Sequence, residues 1–171
     1  IDQWALEAMQ KFNKQKAVIY NTVQLYRHDR LSYLKKTITT AKAEKFVPGF
    51  KLVRGAYVEK ENDFAEDHSI RSALHQTKEA VDKDYNQALQ VCIENIDHLA
   101  FCAGTHNEES CIKLATLMQK AGLANNDQRI EFSQLLGMSD NLSFVLADKG
   151  YNVSKYVPFG PVEKVLPYLF R

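Results

Sequence analysis

Lys51-Leu52-Val53-Arg54-Gly55-Ala56-Tyr57 places apolar strand residues, a glycine hinge and a cationic and aromatic cluster side by side. With Phe50 in front of it, the run predicts a buried strand over 50–57. Gly55 lets the backbone turn, or lets a ligand come close to the main chain. Arg54 and Tyr57 stand where the strand ends, and in proteins that alternate strands with helices that end is where ligands bind. Lys51 and Arg54 bracket Leu52 and Val53, so one cation is expected to face the interior of the sheet and the other a helix or loop. The plain alternative is a salt bridge to an acidic neighbour such as Glu59.

Upstream, residues 1–13 space Ile1, Trp4, Leu6, Ala8, Met9 and Phe12 at largely helical intervals, with Asp2 as the best cap on offer. Residues 17–26 are rich in β-branched and aromatic side chains and read as a strand carrying Asn21, Thr22 and Gln24. Ser32 is expected to cap a helix through about Lys45, stopped by Pro48-Gly49. Downstream, 59–76 shows no clear period and reads as an irregular or partly helical excursion. Thr77 opens an amphipathic helix with Ala80, Tyr85, Ala88, Leu89, Cys92, Ile93 and Ile96 along one stripe. A third strand over 98–103 closes at Gly104-Thr105-His106-Asn107, followed by a helix over 108–121 that stops at Gly122. A fourth strand covers 129–136, and Ser139 or Asp140 caps a short helix to about Leu146. A fifth strand covers 152–157, and Pro161 opens a final helix.

One helix followed by five strand–helix units predicts an α/β fold with a parallel sheet wrapped by helices. An open doubly wound sheet and part of a (β/α)8 barrel both satisfy this order, and five units do not close an eight-stranded barrel. A chain of 171 residues that is 45% hydrophobic suffices for one core. Its 22 basic and 21 acidic residues leave a net charge of +1, which gives no general attraction for nucleic acid or an anionic membrane. Cys92, Cys102 and Cys111 are odd in number and lack CxxC spacing, which suits reduced core thiols. No apolar run approaches the ~20 residues of a spanning helix, and no signal-like segment opens the chain. The first residue is not Met, so further sequence is expected before Ile1.

Near the carboxyl ends of the predicted strands stand Gln24, Arg54 with Tyr57, Thr105-His106-Asn107, Gln134 and Tyr156. A parallel α/β fold brings such residues to one rim. Gly-Thr-His-Asn just before a helix supplies backbone N–H groups, a hydroxyl and a helix N-terminus, which together suit an anion; taken alone, His106 is an ordinary loop histidine. His28, His68, His75 and His98 show no metal-ligand spacing. GxGxxG, GxxxxGK[ST] and GxSxG are absent, so a dinucleotide would not bind in the Rossmann manner.

The motifs VIYNTVQLYRHD, KLVRGAYVEKE, QTKEAVDKDYNQAL, GTHNEES, FSQLLGMSD and YVPFGPVEKVLPYLFR occur in one order. In that order the chain resembles proline dehydrogenase, the flavin-dependent enzyme of proline catabolism, nearly end to end. The resemblance implies a (β/α)8 barrel with non-covalent FAD at its carboxyl rim, of which residues 1–171 supply about strands four to eight with their helices. It implies oxidation of L-proline to Δ1-pyrroline-5-carboxylate, the first step toward glutamate, with electrons passing to a quinone or other acceptor at a membrane. Peripheral membrane association would follow, at the bacterial inner membrane or in mitochondria, with a cytoplasmic enzyme as the other bacterial case. The family's lysine on the first strand and aspartate on the second have no counterpart here, and the final helix ends at the first of its paired arginines.

Carried over by position, the resemblance assigns Gln24, Lys51, Val53, Arg54, Gly55, Thr105, His106 and Asn107 to the cofactor. Lys51 stands where many bacterial members have arginine, keeping a donor but losing the planar fork. Tyr57, Leu135, Tyr156 and Tyr168 match walls of the proline pocket, and Arg171 matches a grip on the substrate carboxylate. Hydroxyproline oxidation on the same scaffold is the near rival, and Tyr156, whose ring takes the place of a 4-hydroxyl, argues against it. A fragment that is incomplete as a catalyst and binds partners through open strand edges is the second alternative. A flavin-free lyase or aldolase on a similar barrel is the third.

Overall fold

The computed structural model describes residues 1–169. Alternation of buried and less buried residues organises it around five parallel strands: β1 (Tyr20–Gln24), β2 (Gly49–Val53), β3 (Ala100–Gly104), β4 (Ile130–Leu135) and β5 (Val153–Tyr156). Helix α1 (Asp2–Phe12) precedes them, and α2 (Arg30–Glu44), α3 (Val58–Asp67), α4 (Lys78–Glu94), α5 (Glu108–Lys120), α6 (Asp140–Asp148) and α7 (Val162–Leu169) follow in turn. The strands lie in the order of the chain, β1-β2-β3-β4-β5. A doubly wound sheet reverses its order at a switch point, so that alternative is excluded.

Because side chains alternate across a strand, one face carries Val23, Phe50, Leu52, Phe101, Ala103, Ile130 and Phe132, all buried. They pack on Leu34 and Ile38 of α2, Tyr85 and Leu89 of α4, Leu114 and Met118 of α5 and Leu146 of α6 in one core cluster. The other face carries Thr22, Lys51, Cys102 and Glu131 in one row of the register. None of these four is buried. The sheet is thus helix-covered on one side and bare and polar on the other.

Several boundaries differ from the sequence reading for local reasons. β1 is shorter than 17–26, because the buried Asn13 side chain takes the backbone just before it, accepting from Val18 and Ile19 N–H and donating to the Ile19 and Val47 carbonyls at 2.8–3.1 Å. α2 starts at Arg30, with Asp29 and not Ser32 at its N-cap. β2 stops at Val53 rather than running to Tyr57, and Ile96–His98 is a 3-10 turn, so α4 ends at Glu94 short of Ile96 and β3 starts at Ala100 rather than His98. The 59–76 stretch overlaps α3, whose only apolar residues, Val58, Phe64 and Ala65, are too few to set a period against its seven polar ones. α4, by contrast, begins where expected, and Thr77 is its N-cap, the hydroxyl accepting from Ala80 N–H at 3.2 Å.

Gly55 turns the chain out of the sheet at φ +131°, and a Cβ there would fall 2.5 Å from Cγ of the buried Tyr26. Strain and overlap together are expected to make Gly55→Ala cost about 3 kcal/mol. A urea midpoint unchanged from the parent would show that the rim relaxes around the methyl group.

Candidate active site

The bare face and the carboxyl ends of the strands enclose a cleft of about 1050 Å³. Gln24 ends β1, Lys51 and Val53 sit on β2, and Leu135 and Tyr156 end β4 and β5. Together with Arg54, Gly55, Tyr57, Thr105, His106 and Asn107 from the connecting turns, these residues line the cleft, so the structure brings together the described members of the predicted site. Arg171 and the Tyr168 side chain lie outside the described residues.

The two cations of β2 diverge, as their spacing requires. Lys51 rises from the bare face, its Nζ 3.9 Å from the centre of the Tyr156 ring, a cation–π pair that joins β2 to β5 across the floor of the cleft. Arg54 turns toward the helices. Its guanidinium donates to Asp82 at 2.6 Å, to the Thr105 hydroxyl at 2.7 Å and to the Ser110 hydroxyl at 2.9 Å, and lies 4.3 Å from the centre of the buried Tyr85 ring. Its ion-pair partner is therefore Asp82 of α4, one helix farther along the chain than the expected Glu59.

The Thr105-His106-Asn107 turn is locked from several sides. The Thr105 hydroxyl, which accepts from Arg54, also accepts from Asn107 N–H at 3.0 Å. The Thr105 carbonyl accepts from the buried Gln134 at 3.1 Å, and the Gln134 side-chain oxygen accepts from Ser143 at 2.8 Å. Gln134 thus braces the rim from the helix side. Asn107 caps α5 by accepting from Ser110 N–H at 2.8 Å, and His106 Nδ1 meets the Ser139 hydroxyl at 3.0 Å.

Thr22, Lys78, Ser133 and Met138 also line the cleft, and the sequence reading did not assign them to the site. Lys78 did carry a signal: a cation in the first turn of a helix opposes the helix dipole. Asp82, one turn later, offsets that cost at 2.6 Å. The carboxylate is held below its usual range; burial alone would raise it, and the hydrogen bonds from Lys78 and Arg54 outweigh burial.

Cys102, on the bare face, is pushed up to about 11, by burial first and by the charge of Glu131 second, with Lys51 opposing. At pH 8 its alkylation is expected to run roughly 100-fold slower than that of a free thiol with a pKa of about 8.5. Mass-spectrometric labelling rates check this, and labelling as fast as a free thiol would contradict it.

A one-direction parallel α/β layer, with a cleft at the strand carboxyl ends furnished with cations, aromatic rings and amides, defines an α/β protein built to hold a small molecule at that rim. The family model described as Proline dehydrogenase matches residues 1–171, and the chain belongs to that family. It is 36% identical over 181 residues to "Proline dehydrogenase 1, mitochondrial" of Drosophila melanogaster, covering 100% of this chain and 27% of the relative. To "Hydroxyproline dehydrogenase" of Xenopus laevis it is 34% identical over 167 residues, covering 95% of this chain and 36% of the relative. The fold is similar to that of proline utilization A from Bdellovibrio bacteriovorus, solved after inactivation by N-propargylglycine. That likeness has a TM-score of 0.87 at 22% identity and covers 96% of this chain and 17% of the other. The chain thus spans about a quarter to a little over a third of the length of these curated relatives. No helix among the described residues is long and apolar enough to cross a membrane.

Proposed function

We propose that residues 1–171 are the C-terminal part of a single proline dehydrogenase barrel domain, supplying about strands four to eight of a (β/α)8 barrel. In this reading the enzyme oxidises L-proline to Δ1-pyrroline-5-carboxylate, opening the route from proline to glutamate. The observation that carries it is the Lys51–Tyr156 pair on the cleft floor of a chain that belongs to this family. The electrons would pass to a quinone or similar acceptor at a membrane, in mitochondria for a eukaryotic source and at the inner membrane or in the cytoplasm for a bacterial one.

The residues present fit FAD. The cleft offers Lys51 and Lys78 as cations and the N-terminal ends of α4 and α5 for the anionic pyrophosphate. FAD, when bound, takes a hydrogen with two electrons from C5 of proline, and loss of the ring N–H proton leaves a C=N bond. Lys51 sets a positive charge beside the reacting atoms, and Gln24, Val53, Arg54, Gly55, Thr105, His106 and Asn107 frame the cofactor. Tyr57, Leu135 and Tyr156 wall the proline ring and exclude water. Tyr168 shares that wall and Arg171 grips the carboxylate in the same reading.

The test is anaerobic addition of L-proline to the full-length, flavin-loaded protein, with loss of flavin absorbance expected. Trans-4-hydroxyproline should act far more weakly, because the Tyr156 ring stands where the 4-hydroxyl would go; the Xenopus relative is the reason to run that comparison. A strong preference for hydroxyproline would overturn the substrate. The 171-residue chain alone is expected not to bleach flavin with proline, since among the described residues β1 and β5 each pair on one side only and nothing faces the bare side of the sheet as an opposite wall.

A further inference from the structure

Helix α3 leaves the sheet at Gly55 and brings Tyr57, at its N-cap, together with Val58 and Glu59 to the cleft wall. Packing holds it weakly. Ala65 is its one buried residue, whereas α4 buries five and α5 four, and Val58 and Phe64 are about half exposed. An element with so little buried apolar surface opens at low free energy unless something fastens it.

Glu61 does this from one turn past Tyr57, to whose carbonyl its own N–H donates at 3.0 Å. Its Oε2 accepts from Arg27 at 3.0 Å and its Oε1 from the Tyr26 hydroxyl at 3.3 Å. Both donors follow directly on β1, 34 and 35 residues back along the chain. Tyr26 is a fixed post: it is 4% exposed, donates its N–H to the Arg54 carbonyl at 2.6 Å and accepts from His75 N–H at 2.8 Å. Arg27 is steadied by Asp29 at 3.3 Å. A second, neutral tie runs from the Ser72 hydroxyl to Asn62 at 2.9 Å, next to residues 73–75, which bond through the backbone to Tyr26 and His28; Glu61 supplies the direct, charged one.

We infer that Glu61, through the Tyr26 hydroxyl and Arg27, is a positioning residue: it pins α3 to the sheet and so sets where Tyr57 stands in the cleft. The effect on substrate rests on the proline reading above; the pinning itself does not. Neither Glu61 nor Tyr26 lines the cleft, so their loss should move substrate affinity more than the chemical step.

The experiment compares Glu61→Ala, Glu61→Gln and Tyr26→Phe in the full-length, flavin-loaded protein. KM for proline should rise about fivefold in Tyr26→Phe, the size expected for one ordinary net hydrogen bond, and at least as much in Glu61→Ala, which loses two, while kcat changes less than twofold. Glu61→Gln, which keeps an acceptor, should recover part of the loss. In parallel, amide hydrogen exchange over 58–67 should quicken in the first two variants with the rest of the sheet unchanged. Unchanged exchange in those variants would overturn the latch, and faster exchange with unchanged KM would overturn its positioning of Tyr57. If Glu61→Ala fails to fold, Tyr26→Phe, which keeps the ring beneath Gly55, decides between these outcomes. A parent protein that does not oxidise proline would overturn the functional reading, and the exchange result would still decide the latch.

Discussion

Arg54→Met is expected to destabilise the protein by about 3 kcal/mol: the ion pair with Asp82 is only partly buried, but two hydroxyl bonds and the stacking on Tyr85 are lost with it. The guanidinium is held by Asp82, Thr105 and Ser110 and stacked on Tyr85, so one substitution takes a donor from a carboxylate and from two hydroxyls and leaves Asp82 with Lys78 alone. Converting Asp82 as well, in Arg54→Met/Asp82→Leu, should recover part of the loss, because the stranded charge disappears with it. The pH dependence has a definite sign. A carboxylate held low contributes stability that is present above its unfolded value and is lost as pH falls through its folded value. Asp82 is held low partly by Arg54. The gap between parent and Arg54→Met should therefore be full at pH 7 and shrink as pH falls below about 4. Urea denaturation at several pH values measures this, and a gap that widens in acid would contradict the assignment.

Lys51→Met should have the largest effect on rate, slowing proline-driven loss of flavin absorbance in the full-length, flavin-loaded protein by about 100-fold, the usual size for removing one preorganised group at a charge-developing centre. The cation lies over Tyr156 on the bare face, so its loss also frees that ring. Without the charge, the reduced cofactor is less stabilised, and its potential should become more negative. Lys51→Arg, which keeps the cation, should restore most of the rate. Equal losses in Lys51→Arg and Lys51→Met would assign Lys51 a packing role. An unchanged rate in Lys51→Met would remove it from the mechanism.

Much of this architecture was readable from local patterns, because each strand–helix unit carries its own period and its own stop. The divergence of Lys51 and Arg54 followed from the two-residue repeat of a strand. What stayed hidden depended on residues far apart in sequence. Nothing near Arg54 names Asp82 or Ser110 as its partners, since α4 and α5 approach it only after β2 and β3 pair. The same holds for Lys51 and Tyr156, which meet across three strand pairings. α3 read only as an irregular or partly helical excursion because three apolar residues among ten set no clear period and its fastening is ionic.

The sheet's strict chain order also has a meaning during synthesis. Strands that pair only with their sequence neighbours can join as they emerge, so each one serves for a time as the open border of a growing sheet. Charged side chains on such a border discourage pairing with other chains. β2, β4 and β5 carry Lys51, Glu131 and Lys155, and β1 is uncharged but polar through Asn21, Thr22 and Gln24, whereas β3 is Ala-Phe-Cys-Ala-Gly with neither a charge nor a polar amide or hydroxyl side chain. The nascent chain is therefore most open to wrong partners after β3 has joined and before β4 covers it. At a ribosomal pace of about 5–20 residues per second, the intervening α5 and its flanking turns keep that border uncovered for a few seconds.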